Sequence, residues 1–194
     1  MSDTFPYALG LPSLPAAFFM TDEKRCPDPA EVIETLPEDC GVIFRDYQHP
    51  GREQLAFSLA ELCRKKGLIF LVAGDPVLAR KAGADGLHLP EWALMRHPGT
   101  TGLADRQILT VSAHGVRALR RAVAIGADAA LIAPAFETIS HKGRSGLGIH
   151  RLQRLAAASL LPFYVLGGIT AQTIKCLPPL KKMAGIASIS LFMK

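Results

Sequence analysis

Pro162-Phe163-Tyr164-Val165-Leu166-Gly167-Gly168-Ile169-Thr170 is the stretch on which the reading of the fold turns. A continuous apolar run is what a strand carries when both of its faces are covered, as in a parallel sheet or barrel. This run ends on two glycines. Without Cβ atoms they permit a tight turn and let a ligand approach the backbone N–H groups closely. In an eight-stranded α/β barrel, the loops after strands 7 and 8 commonly hold a phosphate. The stretch thus predicts a strand 7 with a phosphate cup at its carboxyl end, provided seven other strand–helix units surround it.

Working outward, a recurring junction supports those units. Ala82-Gly83-Ala84-Asp85-Gly86-Leu87-His88-Leu89 has a near copy in Ile125-Gly126-Ala127-Asp128-Ala129-Ala130-Leu131-Ile132. A weaker third copy is Ala184-Gly185-Ile186-Ala187-Ser188-Ile189. Each reads as a helix end, a glycine, a tight turn and a strand, the pattern of repeated βα units on a parallel sheet. Further apolar runs at 17–20, 41–44, 68–72, 107–112, 129–133 and 186–190 supply strands 1, 2, 3, 5, 6 and 8.

Helical patterns separate these runs. Asp28-Pro29 and Asp75-Pro76 each place an N-cap before a proline at the first helical position. Leu55, Leu59 and Leu62 mark the face of a helix over 53–66, with Gly67 as its C-cap. Helices are also expected over 29–36, 115–125, 149–158 and 171–177. Eight such units specify a short α/β chain, a (β/α)8 TIM barrel lacking its last C-terminal helix, because the chain stops four residues after strand 8. A doubly wound open sheet of six or seven strands is the competing architecture.

The composition agrees with one packed domain, 1–194, with residues 1–15 as an irregular N-terminal arm bearing Pro6, Pro12 and Pro15. The chain is 49% hydrophobic and 20% charged, enough apolar residues for a sizeable core. Its net charge of +5 suits an anionic ligand. No basic run is interleaved with aromatics, so nucleic acid is not an expected partner. Cys26, Cys40, Cys63 and Cys176 form no CxxC pair, which argues against a zinc site and for thiols in a reducing, cytoplasmic setting. No apolar run is long enough for a membrane span, and the first residues carry no signal-peptide pattern.

In either α/β architecture the functional rim lies at the carboxyl ends of the strands. Arg45 stands there after strand 2, His88 and Glu91 after strand 4, and Ser112 and His114 after strand 5. The loop after strand 6 offers His141 and Lys142, strand 7 offers Gly167 and Gly168, and strand 8 offers Ile189 and Ser190. Arginine and lysine neutralise an anion while backbone N–H groups orient it, so a small phosphorylated or pyrophosphorylated molecule fits this set. Each residue also has a bland reading. Arg45 would cap the sheet, His88 would be a hydrogen-bonded histidine of the barrel interior, His114 would cap the next helix, and residues 140–142 would be a solvated loop.

Together, Gly83-Ala84-Asp85-Gly86-Leu87-His88-Leu89, Thr110-Val111-Ser112-Ala113-His114, Ala133-Pro134-Ala135-Phe136-Glu137-Thr138 and Leu166-Gly167-Gly168-Ile169-Thr170 resemble the thiamine-phosphate synthase and TenI superfamily of TIM barrels. The resemblance runs from Phe19 to Ser190. It implies the joining of hydroxymethylpyrimidine pyrophosphate to thiazole phosphate with release of pyrophosphate and help from Mg2+. Arg45, Ser112, His141 and Lys142 would meet the pyrophosphate and pyrimidine, and Gly167, Gly168, Ile189 and Ser190 the thiazole phosphate. His88 and His114 are further candidates.

The chain departs from the family pattern elsewhere. Ile43 and Tyr47 replace a glutamine and a lysine. Ala73-Gly74 and Ala93 stand where the metal-binding residues are expected, with Asp75 and Glu91 displaced nearby. His141 aligns with the lysine of the strand 6 loop, and Pro134 with the TenI histidine. Mg2+ is therefore expected only with retained synthase chemistry, and no metal-ligand pair is assigned. A TenI-like helper or a binding protein for thiazole or thiamine phosphate is the alternative. The missing last helix also predicts an apolar groove beside strands 8 and 1, covered by the arm or by a second copy of the chain.

Overall fold

The computed structural model describes residues 14–96, 107–137 and 146–193. Its strands β1 (Ala17–Met20), β2 (Cys40–Phe44), β3 (Ile69–Ala73), β4 (Gly86–Leu89), β5 (Ile108–Ala113), β6 (Ala129–Ile132), β7 (Phe163–Leu166) and β8 (Met183–Ser188) close in chain order. Every pairing is parallel, and Ala17–Phe19 of β1 pair with Ile186–Ser188 of β8. The helices α1 (Pro29–Glu34), α2 (Arg52–Lys66), α3 (Pro76–Lys81), α4 (Glu91–Arg96), α5 (Val116–Ala124) and α6 (Gly148–Ala158) follow β1 to β6. None of them is long and apolar enough to cross a membrane.

Continuous apolar strands make this closure favourable because each residue finds a buried face. Side chains alternate across a strand. Phe18, Met20, Ile43, Leu71, Leu131, Tyr164 and Ala187 fill the barrel interior. Phe19, Val42, Phe44, Phe70, Val72, Leu87 and Val165 face the helices. Apolar layers on both faces suit an open sheet as well as a barrel. The pairing of β1 with β8 closes the ring and excludes the open sheet. At the amino-terminal end, Tyr164 donates its hydroxyl to the Pro15 carbonyl at 2.6 Å and meets Phe18 edge-on at 4.9 Å.

The repeated junction has a physical cause. Asp85 accepts the Phe70 amide at 2.8 Å, and Asp128 accepts the Leu109 amide at 2.7 Å. Each aspartate thereby ties its turn to the first residues of the preceding strand. Asp28 and Asp75 cap α1 and α3 as expected.

Three expectations are corrected. Gly185 of the supposed third junction lies inside β8, where a Cβ would sit 1.8 Å from the Ala16 carbonyl oxygen. The real junction is Lys182, at φ 66°. Strand 8 consequently spans Met183–Ser188 rather than 186–190, and Ile189 and Ser190 belong to the loop beyond it. Residues 171–177 hold one 3-10 turn, Thr173–Cys176, instead of a helix, since Thr170 and Thr173 bond one another and close the turn. After β8 no further helix is present among the described residues. Leu191, Phe192 and Met193 pack against the outer layer, with the Phe192 ring 6.1 Å from that of Phe19.

Candidate active site

A cavity of about 970 Å³ opens at the carboxyl ends of the strands. Arg45, His88, Ser112, His114, Gly167, Gly168, Ile189 and Ser190 all line it. His141 and Lys142 lie outside the described residues. The barrel thus brings together residues separated by up to 145 positions, which the strand-end rule anticipated.

The β7–β8 end is a cup of backbone. Gly167 and Gly168 take φ of 97° and 65°, and a Cβ on Gly168 would come within 2.5 Å of the Glu137 carbonyl oxygen. Only glycine fits there. The Ser188 hydroxyl donates to the Ile169 carbonyl and accepts the Leu191 amide, both at 3.1 Å, so it laces the two loops together. Thr173 donates to the Gly168 carbonyl at 2.7 Å. Among the described residues, no protein acceptor takes the amide hydrogens of Gly168, Ile189 or Ser190. Arg25, from the β1–α1 loop, donates to the Ser190 hydroxyl. Several N–H donors and a guanidinium in one concavity are the chemistry of a phosphate site.

At the β2 end, Arg45 pairs with Asp22 at 2.6 Å. Its backbone N–H donates to the Thr21 hydroxyl at 2.9 Å, and Thr21 donates to Asp46 at 3.0 Å. Burial pushes the Asp46 carboxyl above its usual range, and the Thr21 hydrogen bond opposes this. The network fixes the strand end from which Arg45 projects into the cavity.

His88 is the interior histidine that its alternation with Leu87 and Leu89 suggested, and it also touches the site. Its Nδ1 lies 2.9 Å from the Thr110 hydroxyl and its Nε2 3.0 Å from that of Ser112. Burial, aided by the Arg45 charge, pushes its pKa down to about 3. The ring stays neutral near pH 7, with one nitrogen donating and one accepting, and so holds the Ser112 hydroxyl in place at the cavity wall. His114 does not cap a helix through its side chain. Its Nδ1–H donates to the Ala133 carbonyl and its backbone N–H to Glu91, each at 2.6 Å.

A stability prediction follows from His88. The unfolded chain protonates this histidine below its ordinary value of 6.5, the folded chain only below about 3. Across that window the unfolded state binds more protons, so stability present at neutral pH is lost as pH falls. In thermal melts His88→Gln, which keeps hydrogen bonding but cannot titrate, should lose less stability than the native chain between pH 7 and 4. Parallel pH profiles for the two proteins would rule out this role for His88.

Arg25, Tyr47, Trp92 and Arg151 also line the cavity and were not singled out as ligand-facing in the sequence. Arg25 lies five residues beyond its strand, and only closure of β1 on β8 puts it beside Ser190. Trp92 is 58% exposed, on a helix too short to show a clear period.

The metal that the family resemblance implies does not fit the carboxylates present. Ala73-Gly74 offer no side-chain oxygen. Asp75 accepts the Val77 and Leu78 amides as the cap of α3 and also pairs with Arg52 at 3.2 Å. Glu91 is engaged by the His114 amide. Among the described residues no group of three or more His, Cys, Asp or Glu could hold a metal ion. Cys26, Cys40 and Cys63 are buried free thiols, and burial pushes Cys40 and Cys63 up to about 11 and about 12.

Comparison with known proteins agrees with this architecture. The chain is 31% identical over 170 residues to the thiamine-phosphate synthase of Geobacillus kaustophilus, covering 82% of this chain and 76% of that one. It is 29% identical over 163 residues to the thiamine-phosphate synthase of Bacillus velezensis, covering 79% and 72%. The solved thiamine phosphate pyrophosphorylase from Pyrococcus furiosus superposes with a TM-score of 0.71 at 21% identity, covering 93% of this chain and 88% of that one, and so shares the fold. The model of the thiamine monophosphate synthase family matches residues 17–192, and the chain belongs to that family.

Proposed function

We propose that the protein joins hydroxymethylpyrimidine pyrophosphate to thiazole phosphate, forming thiamine phosphate and releasing pyrophosphate. The observation that carries this reading is that one cavity is lined both by a backbone phosphate cup after β7 and β8 and by Arg45 after β2. The curated relatives are thiamine-phosphate synthases, which supports the same chemistry.

In this reading Gly167, Gly168, Ile189 and Ser190, with Arg25, hold the thiazole phosphate. Arg45 holds the pyrophosphate, Ser112 hydrogen-bonds the pyrophosphate or the pyrimidine, and His141 and Lys142 assist from the β6 loop. His88 positions Ser112. Anchoring both substrates by their anionic ends makes the joining step effectively unimolecular. The leaving pyrophosphate takes the electron pair of the broken C–O bond and gains negative charge. Cations fixed at its end therefore stabilise the transition state more than the ground state.

Purified protein incubated with both substrates should yield thiamine phosphate and pyrophosphate in equal amounts. Product at the no-enzyme level would sink the proposal. Thiazole phosphate binding without turnover would point instead to a binding protein.

A further inference from the structure

We infer that the cavity takes its polyanionic group without a protein-held divalent cation, Arg45 serving as the cation there while Arg52, packed behind Tyr47, fills the place of the metal ligands. This deepens the synthase reading and rests on it for the identity of the anion.

Ala73 closes β3 and Gly74 follows it at the carboxyl end. A metal-binding pair is expected at Ala73-Gly74, and both residues lack a donor side chain. The Arg52 guanidinium occupies that corner instead. Its Nη2 donates to the Ala73 carbonyl at 2.8 Å and its Nη1 to Asp75 at 3.2 Å. Its side chain is only 16% exposed. The guanidinium lies 5.5 Å from the Phe44 ring centroid and 5.6 Å from that of Tyr47, within cation–π range of both.

Three consequences oppose a metal at this corner. The Asp75 carboxylate is already spent on the α3 cap and on Arg52. A fixed positive charge repels a dication, and the repulsion is strong where water is excluded. Tyr47 covers the corner as well: a Cβ on Gly74 would come 3.2 Å from its ring. After the neighbouring strand β4, Glu91 is held by the His114 amide and does not complete a ligand pair. Hard cations such as Mg2+ need several free oxygen ligands or a bound phosphate to replace lost water. The walls of this cavity offer guanidinium donors in that role. Arginine stays charged at all relevant pH and matches phosphate oxygens with a planar fork.

The test uses the full chain and inorganic pyrophosphate. Calorimetric titration in EDTA should show binding, with a Kd within about threefold of that measured with Mg2+ or tighter. Arg45→Ala should weaken the EDTA affinity at least tenfold. Mn2+ titrated alone, followed by water-proton relaxation, should show no protein-bound ion. The inference is overturned if pyrophosphate binds only with Mg2+, if Mg2+ tightens binding tenfold or more, or if Mn2+ binds the protein alone. Absence of pyrophosphate binding in both media overturns it too. Metal-free pyrophosphate binding without any thiamine phosphate formation would defeat the synthase reading and leave this inference standing. Product formation with strictly Mg2+-dependent pyrophosphate binding would do the reverse.

Discussion

Arg45→Ala should lower kcat/KM for thiamine phosphate formation by about two to three orders of magnitude while the fold persists. A guanidinium can give a pyrophosphate two charge-assisted hydrogen bonds, each worth about 1.5–3 kcal/mol. At tenfold per roughly 1.4 kcal/mol, losing one or both spans about one to four orders, with the expected value in the middle of that span. The residue left behind adds to the effect. Asp22, whose side chain is 14% exposed, would lose its 2.6 Å partner and present an unpaired negative charge near the incoming anion. Arg45→Lys keeps the charge without the fork, so its activity should fall between the two. Steady-state kinetics of the three proteins checks this, with circular dichroism melts to confirm folding. A loss below tenfold for the alanine variant would remove Arg45 from the pyrophosphate site.

The second large effect is on stability. Gly86 opens β4 and pairs with Ile108 of β5. A Cβ there would sit 1.9 Å from the Ile108 carbonyl oxygen and 2.7 Å from its carbon. Those atoms belong to backbone in the barrel wall and cannot swing aside as a side-chain tip would. Gly86→Ala must therefore part the strands or bend them. Overpacking costs about 1–3 kcal/mol and a broken ladder hydrogen bond adds about 1 kcal/mol. At about 2–4 °C per kcal/mol for a chain of this size, Tm should fall by roughly 5–15 °C. Gly83→Ala is the control. It has φ 62° and no atom within 4 Å of a built Cβ, so only the left-handed backbone cost of about 1–2 kcal/mol applies. Equal melting temperatures for the two variants would contradict the β4–β5 register.

The strand-end rule made much of the rim readable, because strands of a parallel barrel all point one way and their next residues gather on one side. By that rule Arg45, Ser112, Gly167 and Gly168 belong on the rim, and all four line the cavity. Ile189 and Ser190 line it too, although strand 8 begins three residues earlier than its apolar run suggests. The cup needs only the loop that follows the strand, and both boundaries leave Ser190 there. The false third junction shows what local pattern leaves open. Gly185 looks like a turn glycine, yet it is glycine because Ala16, just before β1, approaches it, a contact between residues 169 apart. Lys182 took the left-handed position without the usual glycine, so nothing in the local composition marked the turn.

The sequence by itself determined the repeating βα plan, the capping aspartates, the glycine cup and the carboxyl-end rim. These depend on spacings within one unit, where alternation, caps and turn residues act over a few positions. The eight-unit count already pointed to a closed barrel, and the tertiary structure decided what closure brings together, as when it carries Arg25 to Ser190. Burial between Thr110 and Ser112 makes His88 a neutral positioning group. Likewise only the packed barrel turns Arg52 onto Ala73, Phe44 and Tyr47. The physical reason is the same in each case: charge state and reach are set by neighbours from other units, and those neighbours exist only once the barrel is shut.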